Sequence, residues 1–398
     1  MSPTTASAGR VERLLEERTV ANAAFFAAEA ERIARLCHAM AERFARGGRL
    51  LAVGRTPAAR SDARHVAVEF VHPVIVGKRA LPAIGLAPEG GDPTVQLALL
   101  AEPGDIVIAF GTEQAAVALA RERGCLTIAF EGDGAEWAFV PPGDDPFVHQ
   151  ELAETLYHVL WELVHVFFEH RGLLEGRTPR RSHDTGASAF LYPFLAERED
   201  DLDAVLDDVR RSVLLKAEEV GALREQTLTE ARDELPAAAG TVRRAFDAGG
   251  RLLALGNGGS ATDAMDAVAD LRDPPDRSGW PARPAIDLTE DTAILTALLN
   301  DIGVEAIFSR QVIAHGRAGD VLLAISTSGG SANVLAALHE ARRRELHTVA
   351  LVGYDGGQIA EQRLADHVIV TRSQHVPRIQ EAQASAWHAL RELIEAGP

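Results

Sequence analysis

The sequence predicts an α/β protein made of two copies of one domain, each a parallel sheet covered by helices on both faces. Three observations carry this. Residues 47–54 read GGRLLAVG and residues 249–256 read GGRLLALG, identical at seven of eight positions. After each match, short apolar runs alternate with helical stretches, the pattern of buried parallel strands joined by helical crossovers. The likeness then continues in one order through both copies, which marks an internal duplication.

The parallel segments are LPAIGL at 81–86 with RPAIDL at 283–288, and PGDIVIAFGT at 103–112 with AGDVLLAIST at 318–327. RERGCLTIAF at 121–130 then pairs with RRRELHTVAL at 342–351, and HQELAETLYHVLWELV at 149–164 with IQEAQASAWHALRELI at 379–394. Each copy opens on an amphipathic helix and closes on another. The expected architecture is three-layered, Rossmann-like or flavodoxin-like. The expected domains are 1–170 and 212–398, with 171–211 as a linker rich in turn formers and charge and one short packed segment at 190–194.

Bulk properties bound the function. The 398 residues are 46% hydrophobic and 25% charged, an ordinary globular composition with room for two cores. The net charge of −18 argues against binding nucleic acid, which needs basic surfaces. A single phosphate can still be held by local N–H groups and hydroxyls. Two cysteines exclude a disulfide framework and a cysteine metal site. No basic-then-apolar leader and no long apolar run occurs, so a cytoplasmic protein without a membrane partner is expected.

The C-terminal copy has two polar loops where strands give way to helices: Gly256-Asn257-Gly258-Gly259-Ser260 and Ser326-Thr327-Ser328-Gly329-Gly330-Ser331. Glycine lets backbone approach a ligand, helix N-termini attract anions, and hydroxyls donate to phosphate oxygens. One such loop reads equally as a helix cap; two at the ends of strands in one sheet read as a ligand site. The N-terminal copy departs here. GRTPAA replaces the first loop and FGTEQAA the second, with Pro57 removing a donor and Glu113 repelling an anion.

These residues resemble the SIS (sugar isomerase) family, and within it the phosphoheptose isomerases. The resemblance rests on GNGGSATDAMDAVADL at 256–271, LLNDIGVEAIFSRQV at 298–312, GDVLLAISTSGGSANVLAAL at 319–338, GYDGGQIA at 353–360 and RIQEAQASAWH at 378–388. It implies two tandem SIS domains and an isomerase that converts sedoheptulose 7-phosphate to the aldose. It also implies that Asn257, Gly258, Ser260, Ser326, Thr327, Ser328 and Ser331 hold the sugar phosphate. Asp301 and Gln380 would lie near the sugar.

An aldose–ketose isomerase moves a proton between adjacent carbons through an enediol(ate), which needs a base and an acid. The resemblance supplies a carboxylate and a histidine, and a zinc site from a His/Glu pair four residues apart plus a Gln and a His of the last helix. In the C-terminal copy those positions are Asp266, Asp270, Gln380 and His388. With a one-residue gap they are His65, Glu69, Gln150 and His158 in the N-terminal copy. Asp270 as base and His388 as acid is the favoured pair, and Glu69 with His158 the alternative. Either four-residue set offers ligands to Zn²⁺ or another divalent ion, and Asp266 in place of His shifts its set toward Mn²⁺ or Mg²⁺. No organic cofactor is expected. The family's arginine one turn after its carboxylate falls at Pro274, with Arg272 out of register.

The expected function is therefore isomerisation of a phosphorylated ketose, by a homodimer that gathers four SIS units. The alternatives are another ketose or hexosamine phosphate isomerase, and a non-catalytic sugar-phosphate sensor or assembly protein.

Overall fold

The computed structural model describes residues 3–74, 78–132, 134–169, 173–174, 201–275 and 279–396. The chain divides into two compact units, residues 20–219 and residues 1–19 with 220–398.

The N-terminal unit carries most of α1 (Pro3–Ala45), then β1 (Leu50–Gly54), α2 (Pro57–Val71), β2 (Ala83–Leu86), α3 (Pro93–Leu100) and β3 (Ile106–Phe110). It continues with α4 (Gln114–Glu122), β4 (Leu126–Phe130), β5 (Trp137–Phe139), α5 (Pro146–Glu169) and the first part of α6 (Leu202–Glu230). Its five strands are parallel, in the order β2-β1-β3-β4-β5. Both faces of β1 are buried. Leu50 and Ala52 join the core that holds α1 and α5, while Leu51 and Val53 join the smaller core with α3 and α4. Burial on both faces is why these strands read as unbroken apolar runs.

The C-terminal unit adds α7 (Glu234–Asp247), β6 (Leu252–Leu255), α8 (Gly259–Arg272), β7 (Ala285–Asp287), α9 (Thr292–Asp301) and α10 (Ala306–His315). Then come β8 (Val321–Ser326), α11 (Ala332–Arg343), β9 (His347–Gly353), α12 (Gly357–Glu361), β10 (His367–Thr371) and α13 (Val376–Ala396). The sheet order β10-β9-β8-β6-β7 is again parallel and repeats the first topology. Leu252 and Ala254 face one core, Leu253 and Leu255 the other.

The unit limits differ from those the repeat suggests. Val11 and Leu14 of α1 are buried in the core of the C-terminal unit, and Val205, Val209 and Val213 of α6 in that of the N-terminal unit. A repeat marks where the similarity starts, whereas burial marks where a helix face is covered. The segment 190–194 lies outside the described residues. Among the described residues no helix is long and apolar enough to cross a membrane.

Candidate functional site

In each sheet the strand order reverses beside the first strand, between β1 and β3 and between β6 and β8. Loops leaving such a pair of strands flank a crevice in which ligands of open parallel sheets bind.

In the C-terminal unit both loops lead into helix starts whose own caps are silent. The N-cap of α8 is Gly258 at φ 58°, and that of α11 is Ser331, whose side chain makes no capping hydrogen bond. The N–H groups of a first turn have no intrahelical acceptor and favour an anion. The tight turn at Gly256 is compulsory, because a Cβ there would lie 2.0 Å from the Ser260 carbonyl oxygen. In the second loop, Ser326 Oγ accepts from Gly329 N at 3.1 Å and Ser328 Oγ from Gly330 N at 3.3 Å. Each hydroxyl thereby shapes the loop as an acceptor and keeps its O–H as a donor. A cavity of about 290 Å³ beside this loop is lined by Ser328, Gly330, Asp355, Gly357, Gln358 and Glu361. Its two carboxylates suit hydroxyl groups rather than a phosphate.

The N-terminal unit keeps the turn but fills the loop ends with its own polar groups. A Cβ on Gly54 would lie 2.0 Å from the Ala59 carbonyl oxygen, as at Gly256 and Ser260. That equivalence places the one-residue gap between 54 and 59 and aligns His65 with Asp266 and Glu69 with Asp270. Here Thr56 accepts from Ala59 N at 3.3 Å and caps α2. Glu113, the N-cap of α4, is 6% exposed and meets Arg55 Nη2 at 3.3 Å; Arg55 also pairs with Asp92 at 2.9 Å. An internal hydroxyl and carboxylate thus stand where the other unit leaves room for an anion. Thr56→Ala is expected to lower stability by about 1 kcal/mol, the usual worth of such a cap, and thermal melts check that expectation.

The polar sets come together differently. Asp270 and His388 approach at 3.8 Å, and Trp387 Nε1 donates to Asp270 Oδ2 at 2.7 Å. Arg391 Nε donates to the Asp270 carbonyl at 3.3 Å. Burial pushes the Asp270 carboxyl above its ordinary range, against the pull of His388, Trp387 and Arg391. Gln380 is buried on α13 and Asp266 half-buried on α8. No third His, Cys, Asp or Glu joins Asp270 and His388 in a ligand cluster among the described residues.

In the N-terminal unit His65, Glu69 and His158 do form a buried cluster, with ligand atoms within 4.8 Å of one another. Tyr157 and His65 Nδ1 are hydrogen-bonded at 2.8 Å, and His65 Nε2 lies 3.9 Å from Glu69 Oε1. Burial, reinforced by nearby His158, holds the His65 pKa well below its usual value. The neutral imidazole is the ligating form, and a partner on the other ring nitrogen fixes its orientation. These three residues fit a divalent ion. Gln150 is half-buried on α5, two turns before His158.

Asp301 ends α9, is exposed, and accepts from Asn300 Nδ2 at 2.7 Å. Arg272 donates to the Ala285 carbonyl at 2.9 Å and meets Glu290 at 3.4 Å. Ser260 and Asp270 are ten residues apart, about 15 Å along the axis of α8. The glycine and serine loops and the Asp270–His388 pair of one unit therefore lie near opposite ends of that helix. Sequence reasoning missed the orienting roles of Tyr157 and Trp387. Their signal was present, since an aromatic residue precedes the matched histidine in both copies.

A family model described as the SIS domain matches residues 217–353. The phosphoheptose isomerase of Geobacter sp. (strain M21) is 42% identical over 193 residues, covering 48% of this chain and 96% of that protein. That of Rhodospirillum rubrum is 45% identical over 158 residues, covering 40% of this chain and 82% of its own. Both units find their counterparts in solved structures. The C-terminal domain of glucosamine-fructose-6-phosphate aminotransferase from Francisella tularensis aligns with a TM-score of 0.58 and 10% identity, covering 97% of this chain and 95% of that one. Tagatose-6-phosphate ketose/aldose isomerase from Escherichia coli aligns at 0.55 and 13%, covering 98% and 94%. At these identities the likeness concerns the fold.

Proposed function

Because the chain belongs to the SIS-domain family of phosphoheptose isomerases, we propose that it is an aldose–ketose isomerase acting on sedoheptulose 7-phosphate. The observation that carries the phosphate half of this reading is the pair of helix starts, α8 and α11, whose N-cap residues Gly258 and Ser331 make no side-chain capping bond and which flank the crevice between β6 and β8. Backbone N–H groups there, with the hydroxyls of Ser260, Ser326, Thr327, Ser328 and Ser331, bind the phosphate. Asn257 and Gly258 complete the first loop, and Asp301 and Gln380 serve the sugar.

Asp270 takes the proton from the carbon beside the carbonyl and returns it to the neighbouring carbon, while His388 serves the sugar oxygens. Trp387 orients the carboxylate by its 2.7 Å hydrogen bond. A buried carboxylate of raised pKa is a stronger base than an exposed one, which suits it to an unactivated C–H. His65, Glu69 and His158, joined by Gln150, would hold a divalent ion in the N-terminal unit. Such an ion supplies Lewis-acid polarisation of an oxygen.

The protein works as a homodimer. An extended seven-carbon sugar phosphate spans roughly 10 Å, less than the separation along α8 between Ser260 and Asp270. A sugar anchored at one chain's loops therefore meets the Asp270–His388 pair of the partner chain. A largely exposed apolar helix supports association: α9 has no fully buried residue, and Leu299 and the following Ile302 are 52% and 54% exposed.

A coupled assay with sedoheptulose 7-phosphate tests the activity. Co-refolding tests the arrangement, using a loop-deficient Ser326→Ala/Ser328→Ala chain and an Asp270→Asn chain, each inactive alone. Random pairing is expected to restore about a quarter of the wild-type rate. A mixture as inactive as its components would place loops and pair in the same chain.

A further inference from the structure

The two phosphate loops are joined by one reciprocal contact. Asn257 Nδ2 donates to Asn333 Oδ1 at 3.0 Å, and Asn333 Nδ2 donates to Asn257 Oδ1 at 2.8 Å. Asn333 Oδ1 also accepts from Val334 N at 3.0 Å, which anchors the side chain to the first turn of α11. Asn333 is 5% exposed, whereas Asn257 is exposed. The contact therefore runs from a fixed helix start to a loop residue facing solvent.

The chemistry of this strap matters because of what lies beside it. A carboxamide donates and accepts at once, so two of them close a cyclic pair without net charge. The other unit bridges its corresponding loops with Arg55 and Glu113, a pair that places a carboxylate at the start of α4. A neutral strap ties the loops without occupying or repelling an anion. The first loop also needs a tie. It contains Gly256, Gly258 and Gly259, residues with the largest conformational entropy to lose, and α8 has no side-chain cap to hold its entry.

We propose that Asn333 is a positioning residue for the phosphate anchor. It holds the Asn257 amide, and through it the turn at 256–260, at a fixed separation from the serine loop at 326–331. This rests on reading those loops as a sugar-phosphate anchor. Preorganisation of this kind lowers the ordering cost of binding and acts equally on ground and transition states. Its loss therefore raises KM and spares kcat.

The test uses the full-length protein, with inorganic phosphate titrated calorimetrically beside steady-state kinetics. Asn333→Ala is expected to weaken phosphate about tenfold and to raise KM by the same factor, with kcat within about twofold. Asn333→Asp keeps an oxygen that accepts from Val334 N and from Asn257 Nδ2, so it guards against a folding defect. It is expected to weaken phosphate further, because it places an anion beside the site. In an Asn257→Ala background, Asn333→Ala is expected to change phosphate affinity no further, since the strap is already cut.

Unchanged phosphate affinity in both Asn333 variants overturns the proposal. So does an Asn333→Ala effect that persists undiminished in the Asn257→Ala background. If wild-type protein binds phosphate and isomerises no ketose phosphate, the isomerase reading fails and the affinity series still decides the role of Asn333. If wild-type protein binds no phosphate, the anchor reading fails and the proposal falls with it.

Discussion

Asp270→Asn is expected to lower the turnover of sedoheptulose 7-phosphate about 100- to 10,000-fold, the usual worth of a general base. KM should move little, because the phosphate anchor is untouched. The substitution keeps an oxygen for Trp387 Nε1, now 2.7 Å from Asp270 Oδ2, so the local packing survives. What is lost is the carboxylate. Burial is the main influence on its pKa and raises it. A carboxyl raised in the folded state favours the protonated form. Its contribution to stability is present below the unfolded carboxyl pKa and lost as the pH rises through the raised folded value. At neutral pH the wild-type protein therefore bears a cost that asparagine removes, and the thermal midpoint of the variant should equal or exceed that of wild type. Activity of the wild-type protein should rise with pH along a limb whose midpoint lies above the ordinary carboxylate range. The opposite pattern, with Asp270→Asn active and Glu69→Gln inactive, would move the acid–base role to Glu69 and His158.

Gly329→Ala should abolish phosphate binding more completely than loss of any single serine hydroxyl. Gly329 adopts φ 60°, and a Cβ there would lie 2.3 Å from the Gly356 carbonyl oxygen. Neither the left-handed backbone nor the contact with fixed main chain can be relieved by a side-chain rotation. The loop must move, and with it the N–H groups and the hydroxyls of Ser326 and Ser328 that it shapes. Phosphate affinity is expected to fall at least 100-fold, against about 10-fold for Ser328→Ala, which removes one donor. Calorimetric titration with inorganic phosphate reads both. A Gly329→Ala protein that binds phosphate as tightly as wild type would show that the second loop is not the anchor.

Much of this protein was legible in its sequence because the relevant signals are local or repeated. Strands buried on both faces appear as continuous apolar runs, so RLLAVG and RLLALG announced β1 and β6 and the parallel sheets around them. The turn at Gly256 and the serine loop were readable because a side chain at Gly256 or Gly329 would meet main chain, which marks both positions as glycine. Duplication made His158 and His388 visible as a matched pair where either alone would pass for a packed histidine.

The tertiary structure decided what depends on residues far apart in the chain. The Arg55–Glu113 pair joins residues 58 apart, and the Asn257–Asn333 pair joins residues 76 apart. No spacing rule connects such positions until the sheet sets its loops side by side. The division of α1 and α6 between the two cores was equally hidden, because the repeat continues past the point where burial changes sides. The distance from Ser260 to Asp270 follows from ten residues of helix, but its meaning needed the fold, which shows one end of α8 at the crevice between β6 and β8 and the other beside α13. The sequence by itself determined two sheets, two glycine- and serine-rich loops and two sets of polar residues. The structure decided which groups meet, because hydrogen bonds and ion pairs act over a few ångströms while the chain brings their partners from opposite ends of a unit.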